Sequence, residues 1–200
     1  MEDDQRWKVD FLKSCESSLA FFSNKSKFER EKWVVKRLLS AFEYPFAEED
    51  LISGQEPSDV RLNEMNFQVK EILGTRRRSD EIKQKLQKVK LAKSRTDLLE
   101  SYTPIDISFQ EIVKQCQNYA SELISKNKYG THEVKSMDLL IYHNLIDHHV
   151  VQPINFETHP NEFRSLSVVS NRYCSIINAS DEAPSFFNKK VGSIIQFFEP

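Results

Sequence analysis

The sequence lacks the motifs of several large enzyme classes. Glycine is scarce, with 4 residues in 200, and neither a P-loop nor a dinucleotide-binding fingerprint is present. No pattern indicates a Ser-His-Asp triad. Nucleotide hydrolysis, dinucleotide-dependent redox chemistry and acyl transfer are therefore poorly supported.

Cysteine and long apolar runs are also scarce. Cys15, Cys116 and Cys174 are far apart and predict neither a zinc site nor a disulfide framework, as is typical of a reducing cytoplasm. No stretch approaches the roughly 18 apolar residues of a membrane span, and the acidic first residues do not resemble an export signal. We therefore expect a cytoplasmic protein that does not bind membranes.

The composition predicts one folded domain over residues 1–200. The chain is 39% hydrophobic and contains 14 Phe, which is enough for a sizeable core. Its net charge is -2, whereas non-specific DNA-binding proteins are usually basic. Contact with a nucleic acid would therefore require a local basic patch.

Apolar periodicity predicts an α/β fold with a mixed central sheet flanked by helices. Helices are expected over residues 5–22, 26–42, 80–100 and 108–127, two of them opened by capping boxes at 26–29 and 108–111. Strands are expected over 44–46, 137–145, 163–170 and 173–179, with the connector 101–107 left without structure. A short helix over 183–190 and a strand or apolar tail over 191–198 complete the chain, and such a tail could pack on a second subunit in a homodimer.

A predicted hairpin over residues 59–62 and 67–73 gathers polar side chains. Its second segment alternates, with Phe67 and Val69 on one side and Gln68 and Lys70 on the other. Residues 63–66 are a polar tetrad suited to a turn. If the segments pair as antiparallel strands, Asp59, Gln68 and Lys70 could share one face.

Those three side chains are typical of a metal-dependent phosphodiesterase. Mg²⁺ prefers oxygen ligands and usually takes one or two carboxylates together with substrate phosphate. A lysine nearby stabilises charge on a phosphoryl group or orients an attacking water. The alternative is that Asp59 and Lys70 are solvated residues of an ordinary hairpin.

The same residues resemble a known group of nucleases. Pro57-Ser58-Asp59 and Gln68-Val69-Lys70 resemble the two halves of the PD-(D/E)XK motif, although Ser58 separates Pro57 from Asp59 and Gln68 replaces the acidic residue. The runs REKWVVKRLL, PSDVRL, FQVKEIL, DLLESYTPIDIS and VVSNRYCSII resemble an uncharacterised bacterial family, a domain of unknown function labelled as a candidate endonuclease. The resemblance implies a restriction-endonuclease-like core and a Mg²⁺- or Mn²⁺-dependent endonuclease acting on DNA, with RNA as an open alternative.

The resemblance also implies further ligands around Asp59 and Gln68. A helix before the strands often supplies an acidic residue in this superfamily, which here implies Glu31, and the backbone carbonyl of Val69 would complete the shell. Glu71 is a secondary candidate, because a bulge or the strand end could turn it back toward the site. The alternative for Glu31 is a solvated glutamate near a helix N-terminus.

One segment of the chain is strongly basic. Only Asp80 and Glu81 are acidic between residues 76 and 95, against nine basic residues (Arg76, Arg77, Arg78, Lys83, Lys85, Lys88, Lys90, Lys93 and Arg95). Such a patch neutralises phosphates without reading sequence, and we expect Arg76, Arg77, Arg78 and Lys83 to contact nucleic acid. The alternative is an exposed helix that uses Lys because Lys favours helices and solubility.

Two further interpretations stay open. The missing acid at Gln68 and the acidic overall charge also suit a nuclease-like fold that lacks activity and serves as a nucleic-acid-binding or regulatory module. His143, His148 and His149 suggest a metal site, but neither a cysteine partner nor an H-E-x-x-H frame accompanies them, so we expect structural or surface histidines.

Overall fold

The computed structural model describes residues 2–21, 24–73, 78–98, 103–145 and 148–197, with side chains for all of these except 2–5, 24 and 78–81. The helices are α1 (Glu2–Phe21), α2 (Lys27–Ala41), α3 (Arg78–Leu91), α4 (Phe109–Ser125), α5 (Thr131–Ser136) and α6 (Ser185–Asn188), and single 3-10 turns cover Asn24–Ser26, Glu48–Asp50 and Arg95–Leu98. The strands are β1 (Ile52–Ser53), β2 (Val60–Leu62), β3 (Met65–Ile72), β4 (Ile105–Ser108), β5 (Asp138–His143), β6 (His148–Val151), β7 (Ser165–Val169), β8 (Tyr173–Ala179) and β9 (Ile194–Gln196).

The chain divides into two compact units. The helical unit comprises Met1–Arg30 and Leu73–Thr103, and the sheet unit comprises Glu31–Ile72 and Pro104–Pro200. The expectation of one domain over residues 1–200 stays a prediction, and each unit is described by itself.

Within the helical unit, α1 packs against α3 through apolar and cationic contacts. The Lys85 ammonium lies 5.0 Å from the Phe11 ring centroid, and Arg95 lies 5.8 Å from the Trp7 ring. Lys8 donates to the carbonyl of Ala92 at 2.7 Å, just past the end of α3, where a cation complements the helix dipole. Basic side chains therefore serve the packing of this helix pair as well as its surface.

The sheet unit is built on a mixed seven-stranded sheet in the order β1-β2-β3-β5-β7-β8-β9. The central strands β3, β5 and β7 run parallel, while the strand pairs on either side of them are antiparallel. Every residue of β5 is buried, as expected for a strand covered on both faces. Strands β4 and β6 form a separate parallel pair.

The first face of the sheet packs on α4. Gln68 and Lys70 of β3 pair in register with Leu139 and Ile141 of β5, whose side chains belong to the apolar cluster that includes Ile112 of α4. Because successive side chains of a strand alternate between faces, Gln68 and Lys70 share this α4 face. The polar part of the α4 face therefore lies next to the hydrophobic core.

The opposite face of the sheet packs on α2 and α6. The Phe67 ring meets the Phe187 ring edge-to-face with centroids 6.1 Å apart. Trp33 of α2 meets Tyr142 of β5 in the same way at 5.6 Å. We refer to this surface as the α2 face.

A buried carboxylate joins the start of β5 to its two neighbours. Asp138, 1% exposed, accepts from the Asn66 amide at 2.9 Å, from the Ser165 hydroxyl at 2.9 Å and from the Arg164 guanidinium. Burial raises the pKa of Asp138, and the Arg164 charge and these hydrogen bonds oppose that rise. Removing one partner of such a pair leaves an uncompensated buried charge, so the cluster fixes the register of β3, β5 and β7.

The α/β class and the mixed sheet flanked by helices are confirmed, together with the capping box of α4. Its Ser108 hydroxyl accepts from the Glu111 amide at 3.1 Å, and the Glu111 carboxylate accepts from the Ser108 amide at 2.8 Å. The predicted hairpin also forms, with a tighter turn than expected because Leu62 already pairs with Met65. Asn63 closes it with a φ of 50°, a conformation that Asn tolerates well.

Three local predictions were wrong. Residues 44–46 are not a strand, since the Tyr44 amide donates a hydrogen bond to the Leu39 carbonyl at the end of α2. Helix α3 ends at Leu91 rather than near residue 100. The Asp97 carboxylate accepts hydrogen bonds from the amides of Lys93 and Ser94, and this local turn replaces the helix. The connector 101–107 contains the start of β4, whose partner β6 is remote in sequence.

Two findings concern membrane-spanning helices and the chemistry of the cysteines. Across the described ranges, no helix combines the length and apolar character needed to cross a membrane. Cys15, Cys116 and Cys174 are free and buried, and burial raises the pKa of the Cys116 and Cys174 thiols. The two thiols are therefore poor nucleophiles at neutral pH.

His143 makes the stability of the sheet unit depend on pH. It is 2% exposed at the end of β5, and its Nε2 lies 2.8 Å from Oε1 of Gln115. Burial, with a smaller effect of His148, lowers the pKa of His143 to about 4. Since the unfolded chain binds this proton near pH 6.5, the stabilisation of about 3 kcal/mol is fully present above pH 6.5 and is lost as the pH falls toward 4.

We predict that His143→Gln flattens the dependence of the unfolding free energy on pH between 7 and 4.5, measured by urea denaturation. His132 is exposed, so His132→Gln is the matched control and should keep the wild-type slope. An unchanged slope in His143→Gln would show that this imidazole is not held neutral by burial.

Candidate functional site

Asp59 lies where the pairing of β2 with β3 stops. Its amide donates to the Phe67 carbonyl at 2.8 Å, and its Oδ2 accepts from the Val69 amide at 2.9 Å. Strand β2 begins only at Val60, so the Asp59 carboxylate takes the place that a further strand residue would have opposite Val69. A side chain thus continues the hydrogen-bonding ladder.

The loop before Asp59 is held in a narrow space. The Gly54 amide donates to the Asp59 carbonyl at 3.0 Å. A Cβ atom on residue 54 would lie 2.5 Å from the carbonyl oxygen of Ser58, so a side chain there would force the loop to move. Gly54 therefore fixes the position from which Asp59 reaches β3.

Gln68 connects Asp59 to the interior of the α4 face. It is 3% exposed, its amide nitrogen donates to Asp59 Oδ2, and its Oε1 accepts from the Tyr129 hydroxyl at 3.0 Å. Both ends of the buried amide are therefore hydrogen-bonded, as buried polar groups must be.

Tyr129, between α4 and α5, completes this chain of hydrogen bonds. Its ring meets the Phe163 ring edge-to-face with centroids 6.4 Å apart. Burial, followed by the negative charge of Asp59, raises the pKa of Tyr129 to about 12. The hydroxyl therefore keeps its proton at neutral pH and donates a hydrogen bond to Gln68.

Lys70 and the Val69 carbonyl are the remaining predicted groups of the hairpin. Lys70 is partly buried and follows Gln68 by two positions, which puts both on the α4 face. The amide and carbonyl of one strand residue point to the same side, so the Val69 carbonyl is directed to the edge on which Asp59 receives the Val69 amide. The structure thus brings together Asp59, Gln68 and Val69, with Lys70 next along the strand.

Glu71 belongs to the α2 face of the sheet, and Glu31 is carried by the helix that packs on that face. Glu71 pairs in register with Tyr142, and Tyr142 packs on Trp33 of α2, the helix that carries Glu31. The alternation of β3 therefore separates the direction of Glu71 from that of Gln68 and Lys70. Ligand roles for Glu31 and Glu71 stay predictions.

The predicted nucleic-acid contacts lie in the helical unit. Arg76 and Arg77 are outside the described residues, and Arg78 is the first residue of α3, with its side chain also outside them. Lys83 is exposed on α3, as are Lys85, Lys88 and Lys90. The basic segment therefore forms a helix, as expected, and presents its described lysines to solvent.

The donor atoms fit a hard cation that keeps part of its water shell. No group of three His, Cys, Asp or Glu side chains that could hold a metal occurs within the described residues. The hairpin instead offers a single carboxylate, a side-chain amide and a backbone carbonyl, all oxygen donors. Mg²⁺ typically takes one or two carboxylates and completes its shell with water and phosphate, so these groups are of the ligand type that it prefers. Gln68 can contribute its oxygen only if its amide turns over.

Sequence reasoning did not identify Tyr129. Its position before Gly130 indicated only the end of a helix, and the residue is 61 positions from the glutamine that it contacts. No local pattern reports such a pairing, because it arises from the packing of the chain after α4 against β3.

The Asp59–Gln68 contact predicts the effect of a second carboxylate. Gln68→Glu would place two carboxylates within hydrogen-bonding distance, and these repel unless they share a proton. We expect little destabilisation near pH 4.5 and a loss of about 1–3 kcal/mol at pH 7.5 in EDTA, measured by urea denaturation.

The control for this change is Gln55→Glu, which adds the same charge at an exposed loop position. It should change the unfolding free energy by less than about 0.5 kcal/mol at either pH. A Gln68→Glu variant as stable as the wild type at pH 7.5 would contradict the contact.

Comparison with solved structures supports the fold. A protein of unknown function from Pseudomonas aeruginosa strain PAO1, described as belonging to a monooxygenase superfamily, is similar at a TM-score of 0.61 and 23% identity over 96% of this chain and 95% of that one. At that identity the likeness concerns the fold alone. No curated protein sequence matches the chain significantly.

The comparison with protein families is more specific, because one family accounts for residues 4–199. That range includes the hairpin, the Asp59–Gln68–Tyr129 chain of hydrogen bonds and nearly all of both units. The protein therefore belongs to the family described as "Putative endonuclease, protein of unknown function (DUF1780)".

Proposed function

We propose that the protein is a Mg²⁺-dependent endonuclease that hydrolyses DNA phosphodiester bonds on a PD-(D/E)XK-like, restriction-endonuclease-like core. The observation that carries this proposal is the convergence of the Asp59 carboxylate, the Gln68 amide and the Val69 backbone on one strand edge, with Lys70 next on β3. Membership of the family described as "Putative endonuclease, protein of unknown function" supports the same chemistry.

Asp59, the Gln68 amide oxygen and the Val69 carbonyl would hold the cation, with Glu31 and Glu71 as further candidates. When bound, Mg²⁺ supplies an activated water and offsets charge on the phosphoryl group. The chain itself would contribute Lys70, whose ammonium stabilises negative charge developing on the phosphate or orients the attacking water. Partial burial strengthens that interaction, because water screens it less.

The basic charge of the helical unit supports a nucleic-acid substrate. The helical unit contains 15 basic and 10 acidic residues, for a formal charge of +5, while the sheet unit contains 13 basic and 20 acidic residues, for -7. A polyanion would therefore be attracted by the helical unit and repelled by the field of the sheet unit. Arg76, Arg77, Arg78 and Lys83 are the proposed phosphate contacts.

A second function is favoured by one observation at Gln68. Its amide satisfies the Asp59 carboxylate without any cation, which suits an inactive nuclease-like fold that serves as a nucleic-acid-binding or regulatory module. Calorimetric titration with Mg²⁺ and Mn²⁺ separates the two functions. Micromolar binding that Asp59→Ala abolishes would count against the inactive module.

We predict that Asp59→Ala and Lys70→Met each lower Mg²⁺-dependent nicking of supercoiled plasmid at least a hundredfold, because one removes the carboxylate and the other the ammonium at the reacting phosphate. RNA substrates are tested under the same conditions. Arg61→Gln, an exposed basic residue of the same hairpin, is the control and should nick like the wild type. Equal nicking by all four proteins would assign the activity to a contaminant.

We predict that the triple change of Lys83, Lys88 and Lys90 to Gln weakens duplex DNA binding at least tenfold in 100 mM salt and lowers the slope of log K against log salt by up to about 3. The matched control changes three exposed lysines of the sheet unit, Lys135, Lys189 and Lys190, to Gln. It should bind DNA within twofold of the wild type. Fluorescence anisotropy at several salt concentrations measures both. Similar losses in the two triples would point to overall charge rather than to α3.

A further inference from the structure

The chain of hydrogen bonds from Tyr129 through Gln68 to Asp59 has a fixed direction. The Tyr129 hydroxyl donates to the Gln68 oxygen at 3.0 Å, and the Gln68 nitrogen donates to the Asp59 carboxylate. A carboxylate only accepts hydrogen bonds, whereas an amide has a donor end and an acceptor end. Asp59 therefore determines which end of the amide faces the strand edge.

That direction places the wrong end of Gln68 toward a cation. A cation held by Asp59 needs oxygen ligands, but the group that touches the carboxylate is the amide nitrogen with its two hydrogens. The nitrogen and oxygen ends of a glutamine amide exchange places by a half-turn about one bond. Such a turn needs little space, since the two ends are almost the same size.

We propose that Tyr129 is a positioning residue that allows Gln68 to switch between these two orientations. Its hydroxyl donates to the amide oxygen when the nitrogen faces Asp59, and accepts from the amide nitrogen when the oxygen faces a cation. This inference rests on the proposed cation site at Asp59 and assigns to that site a residue outside the PD-(D/E)XK motif.

Tyrosine suits this role because its hydroxyl both donates and accepts. The Gln68 side chain is almost completely buried, so whichever end of the amide faces away from Asp59 requires a partner inside the protein. The edge-to-face contact with Phe163 holds the Tyr129 ring in place while the hydroxyl proton rotates. Among the described residues, the neighbouring cluster on the α4 face is built mainly of apolar side chains.

The switch also determines the direction in which a mutation of Tyr129 changes Mg²⁺ affinity. A cation on the amide oxygen polarises the amide N–H groups, so their hydrogen bond to Tyr129 is charge-assisted and stronger than the bond in the cation-free form. Tyr129→Phe therefore removes a stronger hydrogen bond from the Mg²⁺-bound form than from the cation-free form. We expect Mg²⁺ affinity to fall roughly fivefold to tenfold.

The amide of Gln68 itself gives the most direct readout. We expect the side-chain NH₂ resonances of Gln68, assigned by their loss in Gln68→Met, to shift on Mg²⁺ titration and to gain nuclear Overhauser contacts with the Tyr129 ring. An NH₂ group that keeps its position at saturating Mg²⁺ would overturn the switch.

Calorimetry with Mg²⁺ gives an independent test on four variants. Gln68→Met keeps the length of the side chain but lacks the amide oxygen, and should bind more weakly than Tyr129→Phe. Tighter binding by Gln68→Met would mean that the amide only competes with the cation, which contradicts the proposal. Tyr44→Phe, at a ring that packs on Phe186, is the control for loss of a hydroxyl and should bind like the wild type. Asp59→Ala identifies the site, and circular dichroism checks the fold of each variant.

The failures of the two proposals differ. A wild-type protein without Asp59-dependent Mg²⁺ binding overturns the cation site and the switch together. Binding that depends on Asp59 but leaves the Gln68 resonances unmoved, or leaves Tyr129→Phe at wild-type affinity, overturns the switch alone.

Discussion

The hydrogen bond from the Val69 amide to the Asp59 carboxylate is the constraint on which the candidate site depends. Strand β3 is longer than β2, and Asp59 supplies the acceptor at the point where the shorter strand has not yet begun. This places a carboxylate beside the backbone and side chains of β3 rather than in solvent. Each other feature of the site, including the amide of Gln68, is positioned relative to that carboxylate.

The interior of the sheet unit contains polar groups in two places, and they serve different purposes. Asp138 is bonded to Asn66, Arg164 and Ser165 at the start of β5, so its charge is matched within the protein. The chain through Gln68 instead connects a strand edge to a tyrosine and contains groups that can reverse their hydrogen bonds. The first arrangement fixes strand register, whereas the second retains chemical freedom.

The two units carry opposite charges, which the small net charge of the whole chain conceals. A value of -2 for the whole chain argues against a general affinity for nucleic acid, but it is the sum of a basic helical unit and an acidic sheet unit. Lysines that line α3 are exposed, and two of its neighbours in the helical unit, Phe11 and Trp7, stack with cationic groups. Local charge, rather than the overall field, is therefore the relevant quantity for binding.

The sequence by itself determined the α/β class, the hairpin, the buried strand β5 and the helix that begins after Ser108. These depend on local periodicity and capping, which neighbouring residues specify. Only the tertiary structure decided that β4 pairs with β6 and that Tyr129 reaches Gln68. Those relations join residues far apart in the chain, and they follow from the packing of strands and helices that no short stretch of sequence encodes.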